Sequence, residues 1–326
     1  MYIDWQSNLM KRLYTSAVLL LCGALLFFTR FYMIWIFDAT VLFVALFAVW
    51  EVMKVRQSAA KGVSFIYMLA YVATAYAMYI ICEISNFELW LHAIIQIVVV
   101  FIFAFYTFLM CFMDDELAQT AKVEKKNGSI AGTGAKEFLY LVFYPLMFAF
   151  AFILLNHLGT YYMWYKGFDV WLLPIFALVL TISITVFTDT CAYFTGRIIG
   201  GKKLCPKISP KKTISGAIGG LFGGVTASLL TILCMVNGAY GYGLQHFCTE
   251  NMGDVVMVQI IFVIIGIIGS IATQAGDLYA SWVKRRAGVK DYGNVLSGHG
   301  GVMDRIDGLL FNGLFITILF FVLVIL

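Results

Sequence analysis

Long apolar segments follow one another along almost the whole chain, and each is long enough to cross a membrane as a helix. About 20 apolar residues, at 1.5 Å per residue, cross roughly 30 Å of hydrocarbon. Inside lipid the backbone polar groups must be paired within the segment, so each segment is predicted to be α-helical. The predicted segments are 13–28, 32–53, 63–82, 89–112, 137–158, 168–195, 214–236, 255–280 and 306–326. The pattern indicates an all-α integral membrane protein with about nine transmembrane helices.

Basic residues are distributed unevenly between the two ends of these helices. Twenty of the 22 Lys and Arg residues lie before the first segment or in loops 54–62, 113–136, 196–213 and 281–305. The other two are Arg30, in a predicted tight turn between the first two helices, and Lys166. Cytoplasmic loops are enriched in Lys and Arg. The asymmetry therefore predicts a cytoplasmic N-terminus and a C-terminus on the opposite side.

Composition agrees with this class. Hydrophobic residues make up 62% of the chain and charged residues 12%, whereas a soluble domain carries about 25% charged residues. One integral domain is predicted, with four helices and a cytoplasmic connector in 1–136 and five helices with the most polar loops in 137–326. The external loop 237–254 is predicted to be irregular, because its His, Cys and acidic residues match no metal-ligand spacing.

The segment 281–307 is the most polar part of the chain, with five basic and three acidic residues between two apolar runs. Asp277, Ser281 and Lys284 share one helix face if the eighth helix continues into the loop. Asp304 and Asp307 stand three residues apart at the start of the ninth helix. An N-cap role would account for Asp304 alone. A carboxylate at the membrane edge is otherwise costly unless it is paired or used.

The loop 196–213 carries six cations together with hydroxyl side chains. Its Ser209-Pro-Lys-Lys-Thr213 segment predicts a tight turn into the seventh helix, whose free N–H groups would favour an anion. The alternative is an ordinary positive-inside loop followed by close helix packing at Gly216, Gly219 and Gly220. The order of the residues favours phosphate binding.

Carboxylates from different helices beside a basic anion site predict a magnesium site for phosphate chemistry. Mg²⁺ prefers oxygen ligands and completes its shell with substrate phosphates and water. Bound there, it would neutralise charge on a transferring phosphorus and on a leaving pyrophosphate. An attacking phosphomonoester is largely ionised near neutral pH. His299 is therefore predicted to donate a hydrogen bond rather than abstract a proton.

Several motifs resemble the phosphatidate cytidylyltransferases, also called CDP-diacylglycerol synthases. The longest runs from Ser281-x-x-Lys-Arg through Lys290-Asp-x-Gly and Gly298-His-Gly-Gly to Asp304-Arg-x-Asp307. Further motifs are Asp189-x-x-Ala-Tyr-x-x-Gly-Arg197, Ile208-Ser-Pro-Lys-Lys-Thr-x-x-Gly216, Gly276-Asp277 and, more weakly, Trp50-Glu51. The chain departs from the family at Ser297, where proline is usual, and at Ser215, where glutamate is usual.

The resemblance implies a magnesium-dependent enzyme that transfers CMP from CTP to phosphatidic acid, giving CDP-diacylglycerol and pyrophosphate. It implies a site on the cytoplasmic face of a bacterial inner membrane, with CTP, phosphatidic acid and the bilayer as partners and no nucleic acid. A second cation and a homodimer stay open. The implied catalytic residues are Asp277, Asp304 and Lys212, and the implied metal ligands are Asp277, Asp304 and Asp307. The implied substrate-binding residues are Arg197, Lys202, Ser209, Lys211, Thr213, Ser281, Lys284, Arg285, His299 and Arg305.

Two other functions compete with this interpretation. A CTP-dependent kinase acting on a polyprenol would use a related fold and the same nucleotide. A transporter of an anionic solute would also suit basic loops and intramembrane glycines, but the sequence has no obvious inverted repeat and no paired charges in the middle of a predicted helix.

Overall fold

The computed structural model describes residues 25, 28, 30, 33–56, 151–158, 172–236, 242–286, 289–293 and 300–325. Most of these residues are helical. The elements are α1 (Ile34–Arg56), α2 (Leu173–Ile198), β1 (Lys203–Cys205), β2 (Ser209–Thr213), α3 (Ile214–Val236), α4 (Tyr242–Met252), α5 (Val255–Arg286) and α6 (Met303–Ile325). Residues 151–156 are also helical.

Four of these helices are long and apolar enough to cross a membrane. The spans are Leu173–Ile198, Ile214–Val236, Val255–Trp282 and Met303–Leu323, and they match the last four predicted segments to within a few residues. Helix α1 corresponds to the predicted second segment. The other predicted segments, both termini and the 113–136 connector lie wholly or partly outside the described residues, so the count of nine and the orientation stay predictions.

A small β-hairpin interrupts the all-helical plan between α2 and α3. Strand β1 pairs antiparallel with β2, with Lys203 opposite Thr213 and Cys205 opposite Ser209. Gly200 and Gly201 precede the hairpin with φ angles of 65° and 97°, which glycine adopts without a steric penalty. Pro210 lies within β2. The tight turn predicted there is therefore wrong, and α3 begins directly after the strand.

The irregular loop predicted at 237–254 is also wrong for Tyr242–Met252, which forms α4. This short helix is held by packing. Phe247 is fully buried, and its ring stacks on that of Phe320 with centroids 6.2 Å apart. The contact joins residues far apart in the sequence, so the local pattern does not reveal it.

The described residues fall into two compact units. The first contains 39–56, 286, 289–293 and 300–304. The second contains 25, 28, 30, 33–38, 151–158, 172–236, 242–285 and 305–325.

In the second unit, α3 packs against α2 and α5 through glycines. A Cβ at Gly223 would lie 2.5 Å from the carbonyl oxygen of Phe187 on α2, and one at Gly224 would lie 2.8 Å from that of Gly266 on α5. Gly216, Gly219 and Gly220 are buried in the same way. The small-residue packing that the sequence offered as an alternative at these glycines is therefore present.

The second unit also contains a buried polar cluster of Arg30, Asp38, Asn156 and His157, each at most 6% exposed. Arg30 is helical, which differs from the tight turn predicted at 28–31. Its guanidinium donates to the side-chain and main-chain oxygens of Asn156. Asn156 donates in turn to Asp38 at 2.8 Å, and the Asp38 carboxylate lies 2.8 Å from His157 Nε2. These partners lower the cost of burying the guanidinium. Asn156 and His157 lie far from Arg30 in the sequence, so the local pattern around Arg30 does not predict them.

Candidate active site

Two glycines bring α5 and α6 together at the carboxylates of the second unit. A Cβ at Gly276 on α5 would lie 2.8 Å from the main-chain oxygen of Asp307, and one at Gly308 on α6 would lie 3.0 Å from Asp277 Oδ1. Because glycine has no side chain, Gly276 lets α5 approach Asp307, and Gly308 lets α6 approach Asp277. Asp277 and Asp307 are held at one helix crossing.

Helix α2 adds a third carboxylate to this crossing. Asp189, in the C-terminal half of this helix, interacts electrostatically with Asp277, Asp307 and Lys212. Three helices therefore each contribute one aspartate. Asp189 belongs to a motif that the sequence singled out, but it was not among the predicted site residues. A carboxylate at the end of an apolar helix was the available signal.

The β-hairpin delivers a lysine to the same place. Successive side chains of a strand point to opposite faces, and in β2 Lys211 is exposed while Lys212 is half-buried. Lys212 Nζ lies 3.2 Å from Asp277 Oδ2. The hairpin also contacts the end of α5, where Arg285 Nε donates to the carbonyl oxygen of Ile208 at 3.4 Å. The two adjacent lysines thus occupy different environments.

A second lysine approaches from α5. Lys284 Nζ lies 3.6 Å from Asp307 Oδ2, and both side chains are largely buried, at 12% and 15% exposed. Helix α5 continues without a break to Arg286, so Asp277, Ser281 and Lys284 do lie on one continuous helix as predicted. Three aspartates and two lysines make the cluster mixed in charge, with one negative charge in excess when all five are ionised.

The donor set of the cluster suits a hard divalent cation. Asp189, Asp277 and Asp307 offer carboxylate oxygens, the ligands that Mg²⁺ prefers. In the described parts of the chain, no three His, Cys, Asp or Glu side chains form a group that could hold a metal ion by itself. Mg²⁺ does not require one, since it usually keeps several waters and binds through one or two carboxylates and substrate phosphates. These residues could therefore hold the ion, and their mutual repulsion would fall on binding it.

The predicted hydroxyl ligands of the hairpin have structural partners. Thr213 Oγ1 accepts the N–H of Gly216 at 3.1 Å and so caps the N-terminus of α3. It also lies 3.1 Å from Ser215 Oγ, which donates to the carbonyl oxygen of Gly200. Ser215, one of the two departures from the family pattern, thus ties the segment before the hairpin to the start of α3.

The other predicted phosphate-binding residues lie around the hairpin. Arg197 is exposed and donates to the Tyr193 hydroxyl at 2.8 Å. Lys202 is exposed, and Ser209 is half-buried in β2. Their binding roles stay predictions. Ser281 is half-buried on α5 and Arg305 is exposed on α6, whereas His299 and Ser297 lie outside the described residues.

The first unit contains the remaining predicted carboxylate, Asp304. Its Oδ2 accepts the main-chain N–H groups of Tyr292 at 2.9 Å and Gly301 at 3.0 Å. Asp304 therefore braces the segment before α6, and its predicted role as a metal ligand stays a prediction.

Glu51 of α1 braces the same segment. Its side chain is 1% exposed, and Oε2 accepts the N–H of Met303 at 2.8 Å. Cβ atoms at Gly293 and Gly301 would overlap this carboxylate. The sequence marked Glu51 only as a weak motif position, because its partners lie some 250 residues away in the chain.

Comparison with known proteins places these residues in context. The Cytidylyltransferase family matches residues 10–323 of the chain. A phosphatidate cytidylyltransferase of Brucella melitensis is 42% identical over 132 residues, which cover 40% of this chain and 42% of that protein.

Two further proteins of the same name match similar shares of the chain. That of Staphylococcus aureus is 37% identical over 153 residues, covering 47% of this chain and 46% of that protein. That of Aquifex aeolicus is 33% identical over 173 residues, covering 53% and 52%. The chain thus spans about half the length, or less, of these curated relatives.

Proposed function

The chain belongs to the Cytidylyltransferase family, and we propose that it transfers CMP from CTP to phosphatidic acid, giving CDP-diacylglycerol and pyrophosphate. The observation that carries the proposal is the cluster of Asp189, Asp277 and Asp307 from three helices, faced by Lys212 and Lys284. Carboxylates for a cation and lysines for phosphates are what nucleotidyl transfer requires. The names of the three relatives point to the same reaction.

We assign Asp189, Asp277 and Asp307 to a magnesium ion. Asp304, predicted from the family pattern, is kept as a further ligand to be tested. When bound, the ion would withdraw charge from the α-phosphate of CTP and from the pyrophosphate that leaves.

The lysines of the cluster have two roles in this proposal. Before substrate binds, Lys212 and Lys284 reduce the repulsion among the aspartates by pairing with Asp277 and Asp307. With CTP bound, the same ammonium groups lie beside the aspartates and donate to phosphate oxygens. Lys211, Lys202 and Arg197 lie exposed near the hairpin and contribute to the attraction of the triphosphate.

The chemical step needs no strong base. An oxygen of the phosphatidic acid phosphate bonds to the α-phosphorus of CTP, and the bond between that phosphorus and the oxygen bridging to the β-phosphate breaks. The phosphate monoester is largely ionised near neutral pH. The chain's own contribution is to hold both phosphates in line and to stabilise the negative charge that moves to pyrophosphate.

We further propose that the site faces the cytoplasm from a bacterial inner membrane. Asp189, Asp277 and Asp307 lie within three of the four helices that are long and apolar enough to cross a membrane, and the basic hairpin follows the C-terminal end of α2. The positive-inside rule assigns such an end to the cytoplasm, where CTP is found. Phosphatidic acid would enter from the bilayer.

The test uses the full chain purified in detergent with CTP labelled at the α-phosphate, phosphatidic acid and Mg²⁺. The expected products are labelled CDP-diacylglycerol and an equal amount of unlabelled pyrophosphate. Asp277→Asn should abolish the formation of both without changing the elution of the protein on gel filtration. Labelled CDP together with an unlabelled lipid phosphate would instead identify a kinase. Full turnover by Asp277→Asn would show that the assigned site is wrong.

A further inference from the structure

One helical turn away from the carboxylates, α6 packs against both α2 and α5. Gly308 lies at the end of this contact that is nearer the aspartates. A Cβ there would lie 3.4 Å from the methyl groups of both Thr185 on α2 and Thr273 on α5. Thr185 lies four residues before Asp189, and Thr273 lies four residues before Asp277. Residues four apart share a helix face, so each threonine lies one turn before an aspartate of the cluster on the same face of its helix.

Asn312 occupies the next turn of α6, on the same face as Gly308. Its side chain is fully buried. Its Nδ2 donates to the carbonyl oxygen of Thr181 at 2.9 Å and to Thr185 Oγ1 at 3.1 Å. Both acceptors belong to α2, so one side-chain amide links α6 to the helix that carries Asp189.

The same side chain also fills a space provided by α5. A Cβ at Gly269 would lie 2.7 Å from Asn312 Oδ1, so only glycine leaves room for the amide. Thr273, one turn further along α5, lies 3.4 Å from Thr185 through their hydroxyl oxygens. At Asn312, as at Gly308, all three carboxylate-bearing helices therefore meet.

Stability alone does not explain an asparagine at this position. Interhelical hydrogen bonds in membranes contribute little on average, and Asn312 Oδ1 has no hydrogen-bond partner among the described residues. A leucine would bury apolar surface without any unsatisfied oxygen. The amide instead fixes the rotation of α6 relative to α2, because its two N–H groups must point at acceptors on α2.

We propose that Asn312 is a positioning residue that sets the rotation of α2, α5 and α6 about one another, and thereby the spacing of Asp189, Asp277 and Asp307. The inference rests on the proposed use of these aspartates as metal ligands. Residues that orient metal ligands commonly change metal affinity by about 10- to 100-fold when they are replaced.

The test measures Mn²⁺ binding to the purified full chain by electron paramagnetic resonance, without CTP or lipid. Asn312→Leu removes the amide at similar volume, and we expect binding at least about tenfold weaker than in the wild type. Thr317→Val is the matched control. Thr317 is equally buried on α6 and donates to Gly313 and Ala151, so its loss alters packing away from the aspartates and should leave Mn²⁺ affinity unchanged.

A second pair of variants covers the case in which Asn312→Leu does not fold. Thr185→Val removes the hydroxyl that accepts from Asn312 at nearly constant shape, whereas Thr185→Ser keeps it. We expect Thr185→Val to weaken Mn²⁺ binding and Thr185→Ser to bind like the wild type.

The outcomes separate this inference from the proposed function. Unchanged Mn²⁺ affinity in Asn312→Leu and Thr185→Val would overturn the positioning role while leaving the metal site intact. Equal weakening in Thr317→Val would reduce the effect to general packing and overturn it as well. A wild-type chain that binds no Mn²⁺ and turns over CTP without any divalent cation would contradict the metal assignment itself.

Discussion

Gly308 on α6 lies directly against Asp277 on α5, so that a Cβ at position 308 would stand 3.0 Å from Asp277 Oδ1. The reciprocal contact places Gly276 against the main chain of Asp307, where a Cβ would stand 2.8 Å from the carbonyl oxygen. The two contacts differ in one respect. A side-chain carboxylate can rotate away from an added methyl group, whereas a helical carbonyl oxygen cannot.

Gly276→Ala should therefore impair the enzyme more than Gly308→Ala. The added methyl group forces α5 and α6 apart, and misplacement of catalytic groups by about 1 Å lowers turnover by about 100-fold. Pyrophosphate release at saturating CTP measures the loss. Ala275→Ser, at an exposed neighbouring position on α5, is the control and should keep wild-type turnover. Normal turnover in Gly276→Ala would contradict the close contact between α5 and α6 at this glycine.

Replacing each of the two adjacent lysines of β2 with methionine should change different kinetic constants. Lys212→Met removes the cation beside Asp277, and we expect kcat to fall at least about 100-fold, as when a single transition-state donor is lost. Lys211 is exposed, so Lys211→Met should mainly raise the KM for CTP, and less so at high salt because exposed charges are screened. Steady-state kinetics of both variants decides the point. A larger fall of kcat in Lys211→Met than in Lys212→Met would contradict the assignment of Lys212 to the site.

Sequence alone locates the apolar helices well, and it does so for a physical reason. An unbroken apolar run bounded by polar residues has one stable form in lipid, and α3 accordingly spans the predicted 214–236. The hairpin escapes prediction because Ser209-Pro-Lys-Lys-Thr213 shows no alternation of apolar and polar side chains. Its strands are defined by pairing with each other and by the contact of Arg285 with Ile208.

The structure brings together Asp277, Asp307 and Lys212, which sequence motifs singled out, and their roles stay predictions. Asp189 and Asn312 were not assigned, because their significance lies in which helices they face. A single sequence gives the helix ends but not the crossings. The same holds for Glu51, whose partner Met303 lies 252 residues further along the chain.

Glu51 should be required for the stability of the segment before α6. Glu51→Ala leaves the buried N–H of Met303 without its acceptor, which costs about 1–3 kcal/mol, while Glu51→Gln keeps an acceptor oxygen and should lose less. Thermal unfolding in detergent, followed by intrinsic fluorescence, measures the difference.

The glycine beside this carboxylate provides an independent check. The nearest atoms to a Cβ at Gly301 all belong to Glu51, so Gly301→Ala should destabilise the chain, and Glu51→Ala in the same chain should offset part of that loss. Contacting residues show such coupling, whereas distant ones are additive. Strictly additive changes in the two variants would argue against the contact.

The stability of the protein should depend on charge balance in the buried cluster of Arg30, Asp38, Asn156 and His157. Asp38→Leu leaves the guanidinium of Arg30 buried without a nearby carboxylate, and breaking such an arrangement costs about 3–5 kcal/mol. Replacing both charges, in Arg30→Met with Asp38→Leu, should recover much of the loss, because apolar residues of similar volume tolerate burial well. Asp254→Asn, at an exposed position, serves as the control and should unfold like the wild type. Melting temperatures of the two single variants and the double variant provide the comparison. A double variant less stable than either single variant would show that the cluster stabilises the fold through its hydrogen bonds to Asn156 and His157 rather than through charge compensation.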